Sequence, residues 1–471
     1  MTQPLAEVLD IRGNGMPSDT EVEITGSDPV FAAPFRIGET SAAVLAGVGV
    51  AVSDIWEIKT GRTQNVSIDV RSAAAAMCSM SYLQQKRPDG VFAAIRNEQQ
   101  AAALRITEPW PTRDGRWFLP HFVLPNLKER VLGVLDCEPY PDSVRKAVAR
   151  WDALDLEAAI ADAGACGAMV RSNSEWLEHP HGKVLQSKPI VEITRIGDSD
   201  PEPFPEGRRP LSGIRVLDLT RILAGPTAAR TLAEHGAEVL MVAAEHLPQI
   251  TGCVMDTCHG KRSCFLDLDL PEEAAHLKRL IADADVFSEG YRPGALARRG
   301  FGPEELAELR PGMVYVSISC FGEDGPLSHR AGWEQIAQCV TGICMDYDVN
   351  RPRIMYVTAC DYMTGYLGAY GALLALARRA REGGSYHVRV SLCQSGMFLY
   401  RQGRTECSAS DTSIADAVTG AELEALRTVS ETGHGQLRHL GPVLNLSETP
   451  PYWAIPTPVL GADQPEWLNA A

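Results

Sequence analysis

The chain has 471 residues, 45% of them hydrophobic and 22% charged, with a formal net charge of −16. That length suits two or three domains, or one large α/β unit with a satellite. The acidic balance excludes nucleic acid and anionic membrane as general partners, and no stretch reads as an apolar run of the ~18 residues a membrane span requires.

Twelve cysteines without a C-x-x-C pair fit a reducing compartment. Cys253, Cys258, Cys264 and His259 are close in sequence, but their spacing matches no zinc ribbon or finger, so no metal is expected. The first residues carry no signal-peptide pattern, and a cytoplasmic protein is expected.

In chain order, residues 1–30 are polar and aperiodic and read as a loose leader. Ile37 to Trp56, rich in Ala, Val and Gly, predicts a buried helix, and after it come a Lys59-Thr-Gly-Arg62 turn and the strand-like Asn65 to Val70. These belong to a helix–strand element spanning 31–106. Residues 107–197 read as a small domain. It holds a hairpin tip at Asp114-Gly115, helical segments from Pro141 to Ala168 and a capping box at Ser172-Asn-Ser-Glu175. The Pro- and charge-rich stretch 198–210 is a linker.

Beyond it, Ile214 to Leu219 predicts a strand, Thr227 to His235 a helix and Glu238 to Val242 a second strand, the start of a parallel β-α-β layer. The turn between them lacks G-x-G-x-x-G, so a nicotinamide or flavin site is unsupported. Strand–helix alternation continues through Cys264–Leu268, Glu272–Asp283, Val286-Phe287, Pro303–Glu308 and Val314–Ile318. The predicted class is α/β, a Rossmann-like doubly wound parallel sheet over 211–400 with a second, smaller α+β domain, and residues 401–471 form a tail returning to the large one.

Shifting residues 39–70 by 322 places Glu39 on Asp361, Gly49 on Gly371, Gly61 on Gly383 and Val66 on Val388. Both stretches read as acidic residue, small-residue helix, basic Gly turn and strand, the pattern of a duplication or of a chance helix–turn–strand. Asp361 itself opens an apolar helix. Capping that helix is the plain role for such a carboxylate; nucleophilic chemistry is the other.

Several spaced motifs bear on that choice. They are Leu211 to Thr220, Ala224-Gly-Pro226, Leu232 to Val239, His259-Gly-Lys-Arg-Ser263, Ala284-Asp-Val286, Tyr291 to Leu296, Pro311 to Tyr315, Gly332-Trp-Glu-Gln335, and Asp361 with Gly365. In order and spacing, residues 211–400 resemble the class III coenzyme A transferases, the group that includes formyl-CoA transferase, the carnitine CoA-transferases and α-methylacyl-CoA racemase. Residues 107–197 resemble that family's smaller domain and His439 to Pro450 its C-terminus. The order is rearranged, with the helix–strand element present twice.

The resemblance implies an acyl-CoA:carboxylate CoA-transferase in which Asp361 attacks the thioester, passing through a mixed anhydride and an aspartyl-CoA thioester. It implies CoA contacts at Lys261 and Arg298 and an aromatic contact near the adenine at Tyr291. Arg262, Arg292 and Arg299 in the same basic turns would add compensation for the phosphates or be an ordinary solvated turn, and Ile222, Leu223 and Ala224 follow the first strand, where backbone groups would meet the ligand. Gly365 would serve either as helix packing or as room for the thioester. Coenzyme A and acyl-CoA are then substrates, with no permanently bound cofactor and no metal, and the protein an intertwined homodimer. Trp333 stands where the racemase branch carries histidine, which disfavours a racemase. Glu39, one methylene longer than aspartate, is expected to be structural. A catalytically inactive CoA-binding subunit is the third reading.

Overall fold

The computed structural model describes residues 2–17, 21–95, 97–348, 350–411 and 418–468. Its largest sheet has seven strands, in the order Lys261–Phe265, Glu238–Ala243, Arg215–Leu219, Val286–Glu289, Val314–Ser319, Ser385–Ser391 and Glu192–Gly197. The first six are mutually parallel; numbered by position in the chain they run 3-2-1-4-5-6, the doubly wound Rossmann order. Their burial on both faces explains the near-continuous apolar runs at Val216–Leu217, Val239–Val242 and Val314–Val316. Strand order reverses between Arg215–Leu219 and Val286–Glu289, where a crevice opens beyond the strands' carboxyl ends. Residues 198–210 hold no helix or strand, as the linker composition predicts.

Helix Ala359–Glu382 crosses this layer and is buried along most of its length. It packs against helix Ala224–Glu234 on one side and helix Ile37–Thr60 on the other. The latter is long and apolar enough to cross a membrane, but 83% of its most apolar window is buried inside the protein, so its composition reflects a core position.

The repeat read from the sequence is present in three dimensions. Helices Ile37–Thr60 and Ala359–Glu382 have the same length and are offset by 322 residues at both ends. Strand Val66–Asp69 matches the carboxyl end of Ser385–Ser391, and the last residue of each, Asp69 or Ser391, caps the next helix in the chain. Gly49 and Gly371 are small for the same reason. A Cβ on Gly49 would lie 2.5 Å from Val66 Cγ1, and one on Gly371 2.4 Å from Val388 Cγ1.

Two expectations need correction. Residues 1–30 are not a loose leader: helix Gln3–Asp10 buries Leu5, Val8 and Leu9 against Ile37–Thr60, and Val22–Thr25 is a strand paired parallel to Val66–Asp69. Leu5, Val8 and Leu9 fall on one helical face, a short pattern that the surrounding Gly and Pro obscure. The stretch from Pro141 to Ala168 is helical at Pro141–Val148 and Ala153–Asp162, but its end enters strand Gly167–Met169. The hairpin around Asp114-Gly115 and the Ser172–Glu175 capping box are both present.

Candidate active site

At the crevice lies a cavity of about 270 Å³ whose wall includes Thr220 to Gly225, Gly290 to Pro293, Arg330 to Trp333 and Asp361. Leu124, Asn126 and Leu127, from the segment after the first repeat copy, close it from the side. A second cavity of about 220 Å³ continues along the strand ends between Val242, Leu247, Leu266, Leu268 and Leu296; Leu219 and Tyr291 line both.

Asp361 is the third residue of its helix, and the cap comes from elsewhere. Glu334 Oε2 accepts from the Asp361 N–H at 2.6 Å, and Glu334 Oε1 from the Cys360 N–H at 3.3 Å. Gln338 Nε2 also donates to Glu334 Oε1 at 2.8 Å. The carboxylate of Asp361 is thus not spent on capping, and the residue, 8% exposed overall, lines the cavity. Among the described residues the carboxylate receives no hydrogen bond. Burial, then the charge of Glu334, push its pKa well above the ordinary carboxylate value. Burial also raises Glu334, against the lowering effect of its N–H donors. Two carboxyls on one helix terminus cannot both ionise cheaply, and the N–H bonds favour the charge on Glu334.

Lining the same cavity as Asp361 is the start of helix Ala224–Glu234, whose N-terminus has no side-chain cap. Helix N-termini present unpaired N–H groups and a positive dipole end, a ready partner for developing negative charge. The turn into this helix places Ile222 at φ 75°, a left-handed conformation that costs a β-branched residue free energy and is held here against the cavity. Gly365 brings the two helices together: a Cβ there would lie 2.5 Å from the Ala224 carbonyl oxygen and 2.7 Å from Thr227 Cβ. Its smallness serves helix–helix contact at the base of the site.

The remaining predicted contacts divide. Ile222, Leu223, Ala224 and Tyr291 line the first cavity, and Tyr291 and Arg299 the second; Arg299 is also paired with Asp269 at 2.6 Å. Arg298 is exposed on the same turn. Lys261 and Arg262 are not placed to meet a ligand. Lys261 is wholly buried with its ammonium 2.7 Å from both Asp218 Oδ2 and the Pro226 carbonyl. Arg262 is tied to the C-terminal tail through the Glu466 carbonyl at 2.7 Å. Both lie on strand Lys261–Phe265, not in the loop that the His-Gly-Lys-Arg-Ser run suggests.

Sequence reasoning missed Arg221 and Arg330, whose Nε atoms are buried without a partner, and the three residues of the side wall. The arginines had a signal, since Arg221 directly follows one motif already identified and Arg330 stands two residues before another; the side wall had none. Trp333 lines the cavity and stacks on His121 at 4.8 Å between ring centroids. His121 is buried behind it, its pKa pushed down to about 4 by burial, and no histidine is among the residues lining the cavity. His246, Asp267 and Asp269 bring ligand atoms within 4.8 Å of one another, but two of the three are exposed and Asp269 already pairs with Arg299.

A model of CoA-transferase family III matches residues 211–409. Over 416 residues the chain is 31% identical to the acetyl-coenzyme A transferase nodX of Hypoxylon pulicicidum, covering 79% of this chain and 70% of that one. It is 32% identical over 417 residues to an acyl-CoA transferase of Gibberella moniliformis, covering 80% and 73%. Both alignments exceed the stretch from residue 211 onward and so take in part of the first half. The succinyl-CoA:glutarate CoA-transferase of Mus musculus is 35% identical over 208 residues, 40% of this chain and 47% of that one. With two relatives above 30% identity over more than two-thirds of their own lengths, and with an α/β sheet of this order, the chain belongs to the class III CoA-transferases.

Proposed function

We propose that this CoA-transferase moves coenzyme A between carboxylic acids through covalent intermediates on Asp361. The single observation that carries the reading is that Asp361 faces the cavity while Glu334, not Asp361, caps the helix. The Asp361 carboxylate attacks the donor thioester carbonyl, forming an anhydride and releasing the CoA thiolate. The thiolate attacks the aspartyl carbonyl, giving an aspartyl-CoA thioester and freeing the donor acid. An acceptor carboxylate then attacks that thioester, and the released thiolate takes the acyl group from the new anhydride, restoring Asp361. The helix N-terminus at Ala224 lines the same cavity, where its N–H groups would stabilise the oxyanion of each tetrahedral state.

The CoA moiety runs from the second cavity, against Tyr291 and near Arg298 and Arg299, past Leu219 to the loop Ile222–Ala224. Arg221, Arg292 and Arg330 in the walls suit the anionic groups of both substrates locally, against the net charge of −16. The lack of a histidine in the wall favours transfer over a racemase needing two proton-exchanging bases.

The test is incubation with a panel of acyl-CoA donors, then mass spectrometry of the peptide containing Asp361. A CoA adduct there is expected in the wild type and absent in Asp361→Asn, which loses transfer by about 10⁴-fold or more, the scale on which removing a covalent nucleophile acts. Glu39→Gln retains activity. Intact acyl-CoA binding with no adduct from any donor would indicate an inactive binding subunit instead.

A further inference from the structure

The two repeat copies are joined in an uncommon way. In the first, strand Val66–Asp69 lies between Val22–Thr25, parallel to it, and Asn445–Leu446, antiparallel to it. In the second, strand Ser385–Ser391 lies between Val314–Ser319, parallel, and Glu192–Gly197, antiparallel. The registers correspond position by position. Val22 pairs with Val66 as Val316 pairs with Val388; Leu446 pairs with Val66 as Ile193 pairs with Val388. The small three-stranded sheet is therefore a second version of the edge of the large one.

The antiparallel strands are exchanged. Glu192–Gly197 comes after the first copy in the chain but closes the sheet of the second; Asn445–Leu446 comes after the second copy but closes the sheet of the first. The packing reciprocates: a Cβ on Gly49 would meet Val66 and Leu444, and one on Gly371 would meet Val388 and Val191. Even the helix caps match. Asp28 accepts from the Gly38 and Glu39 N–H groups at 3.1 and 2.8 Å, as Glu334 does from those of Cys360 and Asp361.

Reciprocal exchange between two equivalent units is the arrangement two identical chains adopt about a twofold axis when they swap segments. Here both units belong to one chain, and each retains a different half of the site. The second has the long parallel sheet and Asp361; the first has Glu39, held at 2.7 Å by Arg36, and a sheet of only three described strands. Downstream of the first lies the segment that supplies Leu124, Asn126 and Leu127 to the wall of the cavity at Asp361; after the strand of the second copy only Leu392, the residue next to it, lines that cavity among the described residues.

We infer that the site at Asp361 is built within one chain, whose two halves occupy the places of two segment-swapped subunits. No second copy contributes to the site, in place of the homodimer that the family resemblance implies. The inference rests on the cavity at Asp361 being the site, but its test does not depend on the aspartyl chemistry. Wild-type protein is fractionated by size with light scattering, and each fraction is assayed for acyl-CoA binding and for transfer, over a dilution series from micromolar to nanomolar. The expected result is one acyl-CoA bound per chain by a species of one-chain mass, 51.1 kDa, with specific activity unchanged on dilution. Binding and activity confined to species of two or more chains, or lost in step with dissociation on dilution, would overturn it. Binding by the single chain without transfer would count against the Asp361 mechanism and still support the architecture.

Discussion

The two carboxyls at the head of helix Ala359–Glu382 define the chemistry at the residue scale. Because burial and Glu334 raise the Asp361 pKa, the free enzyme carries Asp361 largely protonated below that value, and the nucleophile forms as pH rises. The acid limb of the kcat/KM profile should lie above the usual carboxylate range, and Glu334→Gln, which removes the neighbouring charge, should move it to lower pH. An unchanged limb would mean that another group controls ionisation. The same raised pKa has a stability consequence. A carboxyl whose folded pKa exceeds its unfolded value stabilises the fold only while protonated, and that contribution is lost as pH rises through the folded value. Asp361→Asn is therefore expected to melt at a higher temperature than wild type at neutral pH and to lose this advantage in acid, measurable by calorimetry at both pH values. The active-site carboxylate is held at a cost to the fold.

Elements are positioned by small residues at their crossings. Gly49→Ala and Gly371→Ala each force a methyl to within 2.5 Å of a valine in the strand beneath, so both should lower unfolding free energy by about 1–3 kcal/mol, the usual cost of overpacking. Denaturant titration of the two variants checks this, and similar losses would reflect their equivalent contacts. Gly365→Ala differs, because the helix it displaces carries Asp361 and abuts Ala224; kcat should fall more than stability explains. The parallel strands and the longer helices of the Rossmann-like layer were legible in the sequence, since each has an apolar run of the right period bounded by Gly, Pro or capping residues, whereas short helices such as Pro125–Leu135 and Glu334–Thr341 were not read. Helix Gln3–Asp10 was not, because three buried residues in eight give little periodic signal. The positions of Lys261 and Arg262 were misjudged because a basic turn and a strand that begins with a buried ion pair look alike in one dimension. Asp361 was identifiable as a candidate, but its capping partner, 27 residues earlier, is a tertiary fact.

For the whole molecule, the exchanged strands couple regions that are far apart in the chain. Val66 meets Leu446, and helix Ile37–Thr60 is covered by helix Ala359–Glu382. Such distant pairings pay loop-closure entropy before any contact compensates, which slows folding. During synthesis, the greasy segment Ile37–Thr60 meets Gln3–Asp10 and Val70–Ala76 early, but the face that Ala359–Glu382 covers stays open until this counterpart emerges from the ribosome. Stalling or truncation ahead of residue 359 is therefore expected to yield an aggregation-prone fragment in place of a working one.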